Sequence, residues 1–195
     1  MRFSEIKTHL SKYTVGIAGA GGIGSNCAVA LARSGVGTLI IADFDIVEEP
    51  NLNRQYYFIS QIGSLKTTAL KLNIKNIDTG VKVIDHPVKL DRNNITTIFA
   101  RCNLIIEAFD NAEMKEMLIE TVQMKMPGIP LIVGSGMAGF GNSNSIRCRK
   151  IDETLYVCGD ESSEVSDNHP PLASRIGIVA NMQANTAIEI LMNMK

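Results

Sequence analysis

The 195-residue chain has no tryptophan, only 5% aromatic residues, and four cysteines with no Cys-x-x-Cys pair among them. Cys27, Cys102, Cys148 and Cys158 stand far apart, and His9, His86 and His169 are equally scattered. Structural zinc usually draws on paired ligand spacing, so no zinc is expected. In a reducing compartment the four thiols read as buried apolar residues. Charge of neither sign is in excess: 19 Lys and Arg against 20 Asp and Glu give a net charge of -1. That balance argues against a nucleic-acid partner or an anionic membrane, since both need a basic surface. No apolar run nears the roughly 20 residues that cross a bilayer, and the first seven residues carry no signal-peptide core. A cytoplasmic protein is expected. The 45% apolar content suffices for one sizeable core, and residues 1–195 read as a single domain.

What the chain does have is alternation. Short apolar runs at residues 14–18, 38–42, 81–86, 104–108 and 131–134 alternate with helical patterns at 25–34, 64–77, 93–100, 112–125 and 173–194. No element is assigned before residue 14. Such alternation implies an α/β fold, a Rossmann-like, mostly parallel sheet with helices on both faces. Residues 145–149 and 154–158 add a small antiparallel pair. The acidic segment 159–171 reads as a mobile crossover loop.

The chemistry-bearing residues gather after the strands. Gly19-Ala20-Gly21-Gly22-Ile23-Gly24 follows the first, where backbone N–H groups and a helix terminus can approach an anionic ligand. Gly22 is the best single candidate for closest approach. Asp43 ends the second strand, placed to accept hydrogen bonds from ribose hydroxyls; Asp45 is a weaker candidate that shapes the turn. Asn51, Asn53, Arg54 and Gln55 then form a basic, amide-rich cluster. An arginine fork matches phosphate oxygens two at a time, and Lys66 adds a point charge for the same phosphates. Asp110-Asn111 follows the fourth strand at the same sheet edge. Asp110 can hold Mg²⁺, a cation that prefers oxygen ligands, and either residue can cap the next helix.

With these residues assembled, the chain resembles the ThiF/MoeB family, relatives of the ubiquitin-activating enzymes. The resemblance runs through the glycine loop, Asp43-Phe44-Asp45, the Asn-Leu-Asn-Arg-Gln string at 51–55, Ile62-Gly63-Ser64-Leu65-Lys66, Ala108-Phe109-Asp110-Asn111, and the closing stretch 171–185. It implies an ATP- and Mg²⁺-dependent adenylyltransferase that activates the terminal Gly-Gly carboxylate of a ubiquitin-like sulfur carrier protein. Arg54 and Lys66 would then hold the phosphates, Asp110 the Mg²⁺ and Asp43 the ribose. It also implies a homodimer. Two departures stand out. The family's two Cys-x-x-Cys zinc pairs are missing, and an extended amino-terminal segment bearing an arginine for the partner's site is missing or shortened, where Arg2 could substitute. The pattern is closest to the short ThiF-like branch tied to a ThiS-like carrier and thiamine (thiazole) biosynthesis. Some relatives use a crossover cysteine for sulfur transfer, and Cys158 is the nearest by position. Its neighbours are acids rather than thiol-activating cations, so a buried strand residue is the preferred reading.

Two other functions compete. An NAD-dependent oxidoreductase would use the glycines and Asp43 but leave residues 51–55 and Lys66 unexplained. A non-catalytic nucleotide-binding partner protein would account for the missing zinc pairs.

Overall fold

The computed structural model describes residues 1–194. Seven strands build one sheet in the order β3-β2-β1-β4-β5-β7-β6. They are β1 Thr14–Ala18, β2 Thr38–Ala42, β3 Lys82–His86, β4 Leu104–Glu107, β5 Leu131–Gly134, β6 Arg147–Lys150 and β7 Leu155–Gly159. Every pairing is parallel except β6 with β7. Around it lie α1 Phe3–Leu10, α2 Gly22–Ser34, α3 Lys66–Ile77, α4 Ile95–Ile98, α5 Ala112–Lys125 and α6 Ala173–Asn193. The α/β expectation, with its antiparallel addition at one end, holds.

The central strands are buried along almost their whole length because helices cover both faces, which is why they read as apolar runs without alternation. Their pleat still sorts the side chains. Ile17, Leu39, Ile41, Leu104, Ile106 and Ile132 pack with residues of α2, α3 and α6. Ile40, Ile105, Leu131 and Val133 pack on the opposite face with Ile95, Phe99, Leu118 and Val122.

Local chemistry moves several boundaries. Helix α2 starts at Gly22, inside the glycine motif, where Ser25 N–H already donates to Gly21 O at 3.0 Å. Helix α3 starts at Lys66 because Ser64 is held outside it, its carbonyl accepting from Val47 N–H at 2.8 Å. Helix α1 has no counterpart in the sequence reading. Its side chains are mostly polar and exposed, and Leu10 alone is fully buried.

Strand order sets the location of the site. The chain winds outward from β1 through β2 to β3, then returns to lay β4 on the other side of β1. The winding therefore reverses between β1 and β4, and ligands of open α/β sheets bind at the carboxyl ends of the strands flanking such a point.

Candidate functional site

Two turns leave the sheet at this switch point and touch. One is the glycine turn after β1; the other follows β4. Gly19 has φ +100, and a Cβ there would meet Ala108 O at 2.9 Å, so the position needs both left-handed backbone and no side chain. A Cβ on Gly24 would stand 1.9 Å from Gly19 O, so helix and turn approach as only glycine permits. Asp43 fixes the turn from β2. Its two carboxylate oxygens accept from Ala20 N–H at 2.6 Å and Asp45 N–H at 2.8 Å. Burial raises its pKa, opposed by those N–H groups and by Lys66. Its remaining lone pairs are free to take a hydroxyl.

The cluster at 51–55 folds over the glycine turn. A Cβ on Gly22 would lie 3.2 Å from Ile176 Cγ2 and 3.6 Å from Arg54 Cγ, and one on Gly21 would lie 3.8 Å from Gln55 Nε2. Asn26 ties the pieces together, donating to Gly22 O at 2.7 Å and Arg54 O at 2.9 Å. Arg54 Nη1 donates to Asn53 Oδ1 at 2.8 Å and Pro50 O at 3.2 Å. Asn51 spends its side chain locally, accepting from Glu48 N–H at 3.1 Å. Gln55 is buried beside the turn, and its Oε1 has no hydrogen-bond partner among the described residues.

Lys66 is no solvated surface lysine. It is 6% exposed, and its Nζ donates to Asp45 Oδ2 at 2.7 Å. The ammonium thus sits by two carboxylates, with donors left for a third anion. Asp45 does more than shape a turn: it holds this lysine. Across the switch point Asn111 caps α5, its Oδ1 accepting from Met114 N–H at 2.9 Å. The capping role belongs to Asn111, and Asp110 is left exposed at the end of β4. The described residues hold no cluster of three or more His, Cys, Asp or Glu side chains. Magnesium bound with phosphates takes one or two carboxylates and fills its shell with phosphate oxygen and water. Asp110, a single exposed carboxylate at the mouth of the glycine turn, fits that mode.

Three features escaped the sequence reading. Glu107 is fully buried, and its pKa is raised by burial. It pairs with Lys115, which also donates to Gly134 O at 2.7 Å, while Phe109 N–H donates to Glu107 Oε1 at 2.7 Å. This pair braces the turn that carries Asp110. Arg175, 5% exposed, pairs with Asp160 and donates to Gly141 O at 2.5 Å. Burial alone would raise the Asp160 carboxyl, but N–H donors of Ser163 and Ser162 and the Arg175 guanidinium hold it below the usual carboxylate range. The start of the 159–171 crossover is therefore tethered to α6. Third, Cys148 is exposed, which corrects the expectation that all four thiols are buried. Cys158 is buried at 0% exposure, with its pKa raised. That is the buried strand thiol the sequence favoured, and it has no access to a substrate. Arg2 is the N-cap residue of α1, and its N–H donates to Glu5 Oε2 at 2.7 Å.

The fold and switch-point turns define a protein of the Rossmann-like α/β class. The chain belongs to the ThiF family, whose model matches residues 3–195. It is 32% identical over 189 residues to the adenylyltransferase and sulfurtransferase MOCS3 of Caenorhabditis briggsae, covering 93% of this chain and 46% of that protein. It is also 32% identical over 143 residues to the adenylyltransferase and sulfurtransferase UBA4 of Saccharomyces cerevisiae, covering 73% of this chain and 32% of that protein. The chain thus spans less than half the length of these relatives. Among solved structures it resembles the E. coli tRNA N6-threonylcarbamoyladenosine dehydratase TcdA in complex with AMP. That match has TM-score 0.87 and 19% identity and covers 96% and 89% of the two chains. E. coli MccB matches at TM-score 0.72 and 23% identity, over 95% and 58%. No helix among the described residues is long and apolar enough to cross a membrane.

Proposed function

We propose that this chain is an ATP-dependent adenylyltransferase acting on the terminal carboxylate of a ubiquitin-like sulfur carrier protein. The observation that carries the reading is the Arg54 stem packed over Gly22, with the buried Lys66 paired to Asp45, whose N–H donates to the Asp43 carboxylate that holds the glycine turn. A hydride-transfer cofactor needs no such pair of cations, whereas a triphosphate does.

In this reading ATP lies along the carboxyl edge of β1, β2 and β4. Its phosphates face the N–H groups of residues 20–24, and its ribose hydroxyls donate to Asp43. Gln55 Oε1, unpartnered in the free protein, takes a donor from the nucleotide. The carrier's Gly-Gly carboxylate attacks the α-phosphorus, a new P–O bond forms, and the bond to pyrophosphate breaks. No general base is needed, because the carboxylate is ionised at neutral pH. Arg54 and Lys66 offset charge growing on the phosphate oxygens, and Asp45 keeps Lys66 aimed at them. Bound at Asp110, Mg²⁺ would neutralise further phosphate charge. The protomers pair as a homodimer.

The carrier class is argued from the MOCS3 and UBA4 relatives, both named adenylyltransferase and sulfurtransferase. A ThiS-like carrier of thiamine (thiazole) biosynthesis is the first to test. The experiment is ATP–pyrophosphate exchange with and without such a carrier ending in Gly-Gly. Carrier-dependent exchange supports the reading. Tight ATP binding with no exchange for any Gly-Gly carrier would replace it with a non-catalytic partner or another acceptor, and NAD binding without ATP binding would overturn it.

A further inference from the structure

We propose that Cys148 and Cys158 form an oxidant-responsive dithiol, in which Cys148 is the site of attack on a hydroperoxide and Cys158 resolves it into an intramolecular disulfide. The reading is independent of adenylation. It rests on the hairpin of β6 and β7, on the side of the sheet away from β1 and β2.

The two cysteines are direct cross-strand partners in the antiparallel register. Ile151 N–H donates to Leu155 O at 2.8 Å, which fixes residues 151 and 155 as a hydrogen-bonded pair. Pair type alternates along such a ladder, so 149 with 157 is bonded and 148 with 158 is not. Non-bonded pairs bring Cα atoms to about 4.5 Å, inside the range a disulfide spans without moving backbone. As direct cross-strand partners, the two side chains share one face of the hairpin.

Their environments differ in the way the chemistry requires. Cys148 is exposed and opens on a cavity of about 500 Å³ lined by Lys150, Tyr156, Thr186, Glu189, Asn193 and others. Thr186 Oγ1 donates to its sulfur at 3.3 Å. The neighbouring Cys158 thiol and this hydroxyl outweigh burial and the Glu189 charge and bring the Cys148 pKa down to about 6. Cys158 is buried at 0% exposure and keeps its proton. An exposed thiolate backed by a protonated neighbour is the arrangement of an attacking and a resolving thiol.

The step balances. The Cys148 thiolate attacks one peroxide oxygen, an S–O bond forms, the O–O bond breaks, and hydroxide or alkoxide leaves. Cys158 Sγ then attacks Cys148 Sγ. The S–S bond forms, the S–O bond breaks, and the sulfenic oxygen departs as water with the Cys158 proton. Two thiols lose two electrons and the peroxide gains them. An external thiol reverses the bond by exchange.

The test uses the full chain treated with hydrogen peroxide, blocked with N-ethylmaleimide, and digested without reductant for peptide mass analysis. A linked 148–158 peptide, with Cys27 and Cys102 still reduced, is expected. In Cys158→Ala, peroxide should leave a dimedone-reactive sulfenic acid on Cys148, and alkylation of Cys148 at pH 7 should slow by about tenfold or more. Cys148→Ser should leave Cys158 unoxidised. A fully reduced Cys148 after peroxide would overturn the proposal, and so would a disulfide between two copies or between Cys27 and Cys158. The wild-type digest decides even if a variant fails to fold.

Discussion

Replacing Gly24 by alanine sets two effects of opposite sign against each other. Position 24 lies within α2, and alanine is favoured over glycine in a helix interior by about 1 kcal/mol. The added Cβ, however, would stand 1.9 Å from Gly19 O, 2.9 Å from Gly19 C and 3.2 Å from Ala108 Cβ. Unstrained non-bonded contacts lie near 3.5 Å, so helix and turn must separate by roughly 1.5 Å. The nearest atoms are backbone and cannot swing aside as a flexible side chain would. Overpacking typically costs 1–3 kcal/mol, and this contact belongs at about 3. Subtracting the propensity gain leaves a net loss of about 2 kcal/mol. At this chain length that is a fall in Tm of about 4–8 °C. Thermal unfolding followed by circular dichroism reads it directly. A Tm equal to or above wild type would show that propensity wins and that contact at Gly19 does not hold the motif together.

Three more predictions concern the charges. Lys66→Ala leaves Asp45 and the half-buried Asp43 without their cation, and ATP–pyrophosphate exchange is expected to fall about a hundredfold or more; exchange near the wild-type rate would remove Lys66 from the mechanism. Asp110→Ala alters an exposed side chain, so Mg²⁺-dependent turnover should vanish while Tm stays at the wild-type value; retained activity would exclude Asp110. Asp160 has a folded-state pKa below its unfolded one, so its stabilising contribution is present above about pH 4 and lost as the pH falls below it. Tm should therefore drop more steeply for wild type than for Asp160→Asn between about pH 5 and 3. Superimposable acid limbs would show that the tether to Arg175 contributes nothing to stability.

The strands were legible because covered strands must be apolar throughout, and TLIIA or LIIE leaves little alternative. The glycine turn, Asp43 and Asp110 were legible because their spacing from those strands fixes them at one edge. The sequence does not reveal α1, whose helical face buries little beyond Leu10. Pairings between distant positions were equally hidden. Glu107 reads as the end of an apolar run, and only the fold brings Lys115 and Gly134 to it. Arg175 reads as a polar break at the start of an apolar helix until Asp160 is seen beside it. Cys148 was misassigned because the sequence shows its residue type but not that β6 is an edge strand with exposed side chains.

The contact between Ile176 and the space above Gly22 has a consequence for how the protein is made. Translation delivers the glycine turn before the roof over it, since α6 follows all seven strands of the sheet. A nascent chain can pair β1 with β2 and β4 early, because domains begin to organise during synthesis. The glycine turn nevertheless stays without its Ile176 cover until α6 has left the ribosome. The cover over the glycine turn and the α6 layer of the core are therefore completed by the same event.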